Sequence, residues 1–165
     1  AEVDESLHSG EDAGPYVRRL ARAKAAAVEC GLKNVVLGAD TVVVVDGRIL
    51  GKPADREDAC RMLTLLSGRE HEVVTGICLR SEVEAIDDHE TTRVRFVPLT
   101  RADIENYVAS GEPMDKAGGY AVQGLASKFI DRLEGCYFNV VGLPVAKVYA
   151  LLRRFSQAAS GDAAL

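Results

Sequence analysis

Val35-Val36-Leu37-Gly38-Ala39-Asp40-Thr41-Val42-Val43-Val44-Val45-Asp46-Gly47 is the stretch that most limits how this chain can fold. A near-continuous β-branched run reads as a buried strand, because branched side chains fill a pleated surface and leave no polar stripe for solvent. Such a strand has no structural use for a carboxylate in its middle. Burying Asp40 is costly unless it is paired, hydrogen-bonded or bound to a metal. Two readings follow. Either Asp40-Thr41 is a bulge or bend between two short strands, or the run breaks at a functional site where Asp40 faces a ligand. Gly38 and Ala39, both small, are expected to keep the approach to the backbone open there.

The rest of the composition narrows the class. The chain has 165 residues, 47% hydrophobic and 27% charged, the balance of one soluble globular domain large enough to build a core without staples. Aromatics are only 5% and tryptophan is absent, so Val, Leu, Ile and Ala must supply that core. A net charge of −5 argues against a general nucleic-acid surface but leaves room for a small anionic ligand held by a local lysine cluster. Cys30, Cys60, Cys78 and Cys136 form no CxxC or Cys-His pattern and are expected to be free, mostly buried thiols. No apolar run approaches transmembrane length and no basic-then-apolar segment opens the chain, so a cytoplasmic location is expected.

Helical and extended segments interleave. Tyr16 to Cys30 is alanine-rich with apolar residues at three- and four-residue spacing (Val17, Leu20, Ala21, Ala27, Val28), and Gly31 is placed to cap it. Asp46-Gly47 predicts a tight hairpin into Arg48-Ile49-Leu50. Asp55 predicts the N-cap of a helix over Arg56–Leu66. Strands are expected over His71–Arg80, Glu90–Val97 and Lys128–Leu133, the second antiparallel to its neighbour. Thr100 with Asp103 predicts a capping box opening a helix over Arg101–Ala109. A last helix runs from Val145 to Phe155, and residues 156–165 read as a flexible tail after a domain of residues 1–155.

Four charged positions sit among glycines and prolines: Glu5, Asp40, Lys52 in Leu50-Gly51-Lys52-Pro53, and the Glu112-Pro113-Met114-Asp115-Lys116-Ala117-Gly118 segment. Lys24, four residues after Leu20 and three before Ala27, borders the apolar face of its helix. It either snorkels or joins a site. Two lysines and two carboxylates converging on one strand would suit a metal-bound triphosphate, the carboxylates holding a hard cation and the ammonium groups the phosphate oxygens. Neither a P-loop nor a GxGxxG turn is present, and the three histidines are too scattered for a zinc site. Gln123, beside Gly124, offers both a donor and an acceptor, to a nucleobase edge or to its own loop.

These pieces carry a family resemblance. Asp4-Glu5, the Tyr16–Ala25 helix, Leu37–Val43, Gly51-Lys52-Pro53, Met62–His71, Thr75-Gly76, Tyr107–Gly124 and Val140–Pro144 resemble, in that order, the Maf family of nucleoside-triphosphate pyrophosphatases. The resemblance runs from Asp4 to Leu152, and the Gly111–Gly124 block is its most specific part. It implies an α/β fold of the inosine-triphosphatase-like kind: a mixed twisted sheet flanked by helices, two-lobed, with a central cleft between the Asp40 strand end and the Gly111–Gly124 loop. Family members open with a strand, a Ser-Pro-Arg-Arg loop that binds phosphate and a helix, about 30 residues ahead of the Asp-Glu pair. The resemblance implies that this N-terminal segment is lacking here.

Carried over by position, the resemblance makes Asp40 the proton acceptor that activates water, with Glu5 and Asp40 the carboxylates near a divalent Mg²⁺ or Mn²⁺. Lys24 and Lys52 would touch the phosphates. Thr41 and Gln123 match the positions of the branch acting on dTTP and UTP, so the implied substrate is a pyrimidine nucleoside triphosphate, cleaved to the monophosphate and pyrophosphate by a homodimer. Two other classes compete: a non-catalytic nucleotide-binding or regulatory protein, and a structural protein whose Asp40 is paired to a buried lysine.

Overall fold

The branched run folds as one unbroken strand. The computed structural model describes residues 3–31 and 34–161, with side chains as far as Phe155. In chain order its elements are α1 (Ala13–Ala26), β1 (Val36–Val45), β2 (Arg48–Leu50), α2 (Arg56–Leu66), β3 (Glu70–Arg80), β4 (Ala85–Phe96), α3 (Arg101–Ala109), β5 (Ile130–Glu134), α4 (Tyr137–Val141) and α5 (Val145–Gly161). The strands form one sheet in the order β2-β1-β3-β4-β5, with every neighbouring pair antiparallel. β1 and β3 pair without a slip from Val36↔Arg80 to Val44↔Glu72, which sets Asp40 opposite Gly76 and Thr41 opposite Thr75. Asp40 therefore lies at neither a bulge nor a strand end, and both expectations of a break there are corrected. Asp46 and Gly47, at φ 49° and 72°, supply the two left-handed residues that a tight hairpin turn requires.

Alternation along the strands gives the sheet two dressed faces. One carries Val42, Val44 and Val74 against Tyr16, Val17 and Leu20 of α1. The other carries Val43, Val45, Val73, Val94 and Phe96 against α2, α3 and the 3₁₀ turns that follow, and this is the larger core. Towards the far end of the same face, Ile77 and Leu79 meet Val148 and Leu151 of α5. The helix starts follow the sequence closely. Asp55 accepts from the Asp58 backbone N–H at 2.8 Å, and Thr100 and Asp103 form the reciprocal box.

Helix α1 approaches the sheet closely because two glycines face it. A methyl group on Gly38 would fall well inside contact with the Ala21 carbonyl oxygen, and one on Gly76 would strike the Val17 carbonyl. Gly38 does keep the approach to the backbone open, as expected, and what approaches is the backbone of a helix. Helix α1 also ends earlier than its composition suggests, at Ala26, leaving Val28 exposed and Gly31 beyond the end. The guanidinium of Arg80 donates to the carbonyls of Ala25 and Val28 at 3.3 and 3.0 Å, so the last turn is satisfied without a glycine cap.

Three further differences concern boundaries. Strand β4 starts at Ala85, five residues before the expected Glu90, because its first half pairs with β3 as regularly as its second. The short helix α4 has no strong sequence signal and is held by Asn139, fully buried, whose amide donates to the Val73 carbonyl and to Thr92 Oγ1 at 3.0 and 3.1 Å. Helix α5 continues to Gly161, past Phe155 and into the stretch expected as a tail; residues 162–165 lie outside those described. Of the four thiols, all unpaired, only Cys78 is buried, so the expectation of mostly buried cysteines holds for that one alone. Among the described residues no helix is long and apolar enough to cross a membrane.

His71 sits in the larger core between Phe96 and Tyr120, its Nε2 2.7 Å from the Tyr120 hydroxyl. Burial pulls its pKa down from 6.5 to about 4. The unfolded chain thus takes the proton first, so stability is full above pH 6.5 and falls as the pH drops towards 4, by about 3 kcal/mol in total. Urea midpoints measured across that range should show this slope in the native chain and lose it in His71→Gln. Gly38→Ala, which drives a methyl into the α1 backbone, should lower stability by about 3 kcal/mol by the same measurement. A loss below about 0.5 kcal/mol, the level of a neutral surface change, would contradict the close seating of α1.

Candidate active site

Strand β2 pairs with β1 only from Val43 to Val45, so the first seven residues of β1 have β3 on one side and an open edge on the other. That edge explains how a hydrophobic strand tolerates Asp40. Its side chain points to the α1 face but lies beside the opening, and it retains 13% exposure. Beyond Leu50 the chain continues past Val43 in the same direction, which carries Lys52 level with Thr41 and into one cavity with Asp40. A cavity of about 210 Å³ results, lined on this side by Asp40, Thr41 and Lys52.

The opposite wall comes from the glycine-rich segment after α3. Asp115, Lys116, Tyr120 and Gln123 line the same cavity. Two contacts hold this wall in place. The Gly118 N–H donates to the Gly51 carbonyl at 2.9 Å, beside Lys52. Gly118 itself, at φ 67°, packs so close to β1 that an added Cβ would stand 2.6 Å from a Val43 methyl. The loop that follows Gln123 is held from behind. The Glu112 carboxylate accepts the Leu125 N–H at 2.8 and 3.1 Å and fills the space that a side chain on Gly124 would need. The expected apposition of Asp40 and the Gly111–Gly124 loop is therefore present, though it forms along a strand edge and not at a strand end.

Behind Asp40 lies an ion-pair cluster. Lys24 Nζ, on the α1 turn that follows the Gly38 contact, donates to Asp40 Oδ1 at 2.5 Å and sits 3.1 Å from Glu5 Oε1. Tyr16 helps to hold the N-terminal strand of chain there, its hydroxyl donating to the Glu5 carbonyl at 2.8 Å. Burial raises the Asp40 pKa, and the hydrogen bond and charge of Lys24 pull against that rise without cancelling it. Burial also pulls on Lys24, but its bonds to Asp40 and Glu5 win and its pKa is raised. The result is a carboxylate poised above its ordinary range and a lysine held charged. The Asp40–lysine pairing that a purely structural protein would need is present, yet Lys24 keeps 34% of its side chain exposed and Asp40 borders an open cavity.

Thr41 points to the other face. Its hydroxyl lies 2.9 Å from that of Thr75, which donates to the Asn139 carbonyl at 3.2 Å, and 3.4 Å from the Gly142 carbonyl. Together with Thr92, whose hydroxyl bonds both backbone groups of Cys136, these residues tie α4 to the middle of the sheet. The structure thus gathers all six positions singled out in the sequence. Asp40, Thr41, Lys52 and Gln123 line the cavity, and Lys24 and Glu5 reach it through Asp40. Sequence reasoning gave no role to Asp115, Lys116, Glu112, Thr75 or Asn139. The first three lay inside a segment already marked by its charges; Thr75 and Asn139 carry no local signal, because they matter only through contacts made across the sheet.

No group of three His, Cys, Asp or Glu side chains is arranged to hold a metal ion among the described residues. What the site offers is two carboxylates, Glu5 and Asp40, sharing one lysine. Hard oxygen donors in that number suit a Mg²⁺-type cation that brings most of its ligands as phosphate oxygens and water. If Lys24 restrains Asp40 as described, Lys24→Gln should move the Asp40 titration to still higher pH. Carboxyl ¹³C chemical shifts followed against pH measure this directly; an unchanged or lowered Asp40 pKa would contradict the pairing.

Comparison with known proteins adds an independent observation. The family model described as Maf-like protein matches residues 1–155. The chain is 48% identical over 157 residues to a dTTP/UTP pyrophosphatase of Syntrophomonas wolfei, covering 93% of this chain and 83% of that protein. It is 53% identical over 169 residues to a dTTP/UTP pyrophosphatase of an Anaeromyxobacter species, covering 99% and 80%. A third, from Koribacter versatilis, is 50% identical over 155 residues, with 93% and 80% covered.

Proposed function

The chain belongs to the Maf-like protein family, and from that membership and the geometry of the cavity we propose that it is a nucleoside-triphosphate pyrophosphatase acting on dTTP and UTP. The observation that carries the reading is the position of Asp40. It is a carboxylate with a raised pKa on the open edge of β1, in one cavity with Lys52 on its own side and Gln123 on the other. In this reading the phosphates of the nucleotide lie at the β1 wall and its base towards Gln123.

In this mechanism Asp40 takes a proton from a water molecule, whose oxygen bonds to a phosphorus of the α–β anhydride while that phosphorus loses its bond to the bridging oxygen, giving the monophosphate and pyrophosphate. A raised pKa makes a carboxylate a better proton acceptor. Lys24, held charged by its two carboxylates, and Lys52 stabilise the charge that grows on the phosphate oxygens. Glu5 and Asp40 are the donors that would hold a Mg²⁺ or Mn²⁺; when bound, such an ion neutralises phosphate charge and acts as a Lewis acid. Thr41, fixed between Thr75 and Gly142, shapes the floor near the phosphates. Gln123 presents a donor to the O4 and an acceptor to the N3–H of thymine or uracil. Adenine reverses this donor–acceptor order, whereas guanine shares it through O6 and N1–H, so a purine such as GTP is rejected by the size of its second ring and not by an unpaired amide group. We place the enzyme in the cytoplasm as a homodimer.

Asp40→Asn keeps the shape and removes the proton acceptor, so pyrophosphate release from dTTP should fall at least about 100-fold. Near-normal release would rule Asp40 out as the base. Comparing kcat/KM for dTTP, UTP, dATP, GTP and 7-methyl-GTP tests the substrate class. The two pyrimidine nucleotides should lead, and Gln123→Glu, which replaces the donor by an acceptor, should reduce them selectively. Equal rates on purines and pyrimidines would overturn the base-recognition part of the proposal, and no release from any nucleotide would overturn the enzyme reading.

A further inference from the structure

The cavity holds a cation that this mechanism does not use. Lys24 is committed to Asp40 and Glu5, and Lys52 forms no ion pair among the described residues. Lys116 lines the cavity on the wall facing Lys52, and its ammonium donates to Asp115, the preceding residue, at 2.7 Å. Asp115 lines the same cavity with 75% of its side chain exposed, against 34% for Lys116. A pair this wet contributes little, because water competes for both partners and two side chains must be ordered to make it. Exchanging the carboxylate for a more highly charged acceptor therefore costs little.

The backbone around Lys116 leaves the side chain as the part that can move. The Lys116 N–H donates to the Pro113 carbonyl at 3.1 Å and its carbonyl accepts from Gly119 at 3.0 Å. Two residues on, Gly118 is bonded to Gly51 and wedged against Val43. The four-carbon stem of a lysine can swing its ammonium between acceptors without disturbing such an anchor. We propose that Lys116 is a substrate-contacting residue that binds the polyphosphate of the nucleotide, and that in the free protein it is stored on Asp115. The inference rests on the pyrophosphatase reading and adds to it a second phosphate-binding lysine and a built-in competitor. Asp115 lowers affinity for polyphosphate by holding Lys116 back, which favours release of pyrophosphate once the bond is broken.

The test measures binding of α,β-methylene-dTTP, which cannot be cleaved at that bond, to the full chain by calorimetry at one ionic strength. Lys116→Gln should weaken binding about tenfold or more, the loss expected for one charge-assisted hydrogen bond. Asp115→Asn should tighten it several-fold. The double variant Asp115→Asn/Lys116→Gln keeps the net charge of the native cavity, and it separates contact from field. Contact predicts binding about tenfold weaker than the native chain. If the double variant binds like the native chain, Lys116 acts only through net charge and the proposal falls. It also falls if Asp115→Asn binds no tighter than the native chain. A native chain that cleaves dTTP with an affinity indifferent to Lys116→Gln overturns this inference alone. A native chain that binds the analogue in a Lys116-dependent way and cleaves no nucleotide overturns the pyrophosphatase reading and leaves the role of the lysine standing. No binding of the analogue at all overturns both.

Discussion

The seating of α1 on the sheet is the constraint from which the site follows. Two neighbouring strands present glycine on the same face, Gly38 on β1 and, two register positions along, Gly76 on β3, and the helix backbone comes down onto them through Val17 and Ala21. Three residues past Ala21 the next turn delivers Lys24 to Asp40. With a side chain at either glycine the helix would stand further off, and a lysine could not close a 2.5 Å bond to a carboxylate on the strand beneath. Close packing and charge pairing are thus one event: the geometry that excludes a methyl group is the geometry that compensates a half-buried acid.

That compensation is incomplete. An acid fully matched by its lysine would be held well below its ordinary pKa, a good structural pair and a poor proton acceptor. Here desolvation outweighs the lysine, and the Asp40 pKa rises. The open edge of β1 makes the compromise possible, since the short β2 leaves one flank of the strand without a neighbour and the cavity occupies that flank. The C-terminal half of the chain then closes the other side through backbone contacts at Gly118 and Gly51 and through Glu112 beneath Gly124, so that loop positions are fixed by main-chain hydrogen bonds and space filling.

Much of this was legible in the residues, and what was not has a common cause. The hairpin at Asp46-Gly47, the Asp55 cap and the Thr100–Asp103 box are local devices, and each stands where its residues place it. The misplaced features depend on partners distant in sequence. Asp40 looked like a break in a strand because the open edge that accommodates it is created by where β2 stops pairing. Helix α1 looked longer because its terminal carbonyls are satisfied by Arg80, more than fifty residues away. Gly38 marked an open approach to the strand, but the helix it admits cannot be seen from the strand. The site residues with a functional resemblance were found, whereas Asp115 and Lys116 carried charge in a conspicuous segment but gained a place only when that segment folded over the cavity.

The link between helix seating and the acid is tested most directly by titrating Asp40 in Gly76→Ala. Gly76 pairs with Asp40 in register, and the nearest atoms to a methyl group there are the Val17 and Arg18 backbone, so the substitution acts by lifting α1. Following the Asp40 carboxyl carbon by ¹³C NMR in the folded variant, the account predicts a pKa higher than in the native chain, because Lys24 is drawn away while β1 stays in place. A folded but destabilised variant whose Asp40 titrates as in the native chain would contradict it.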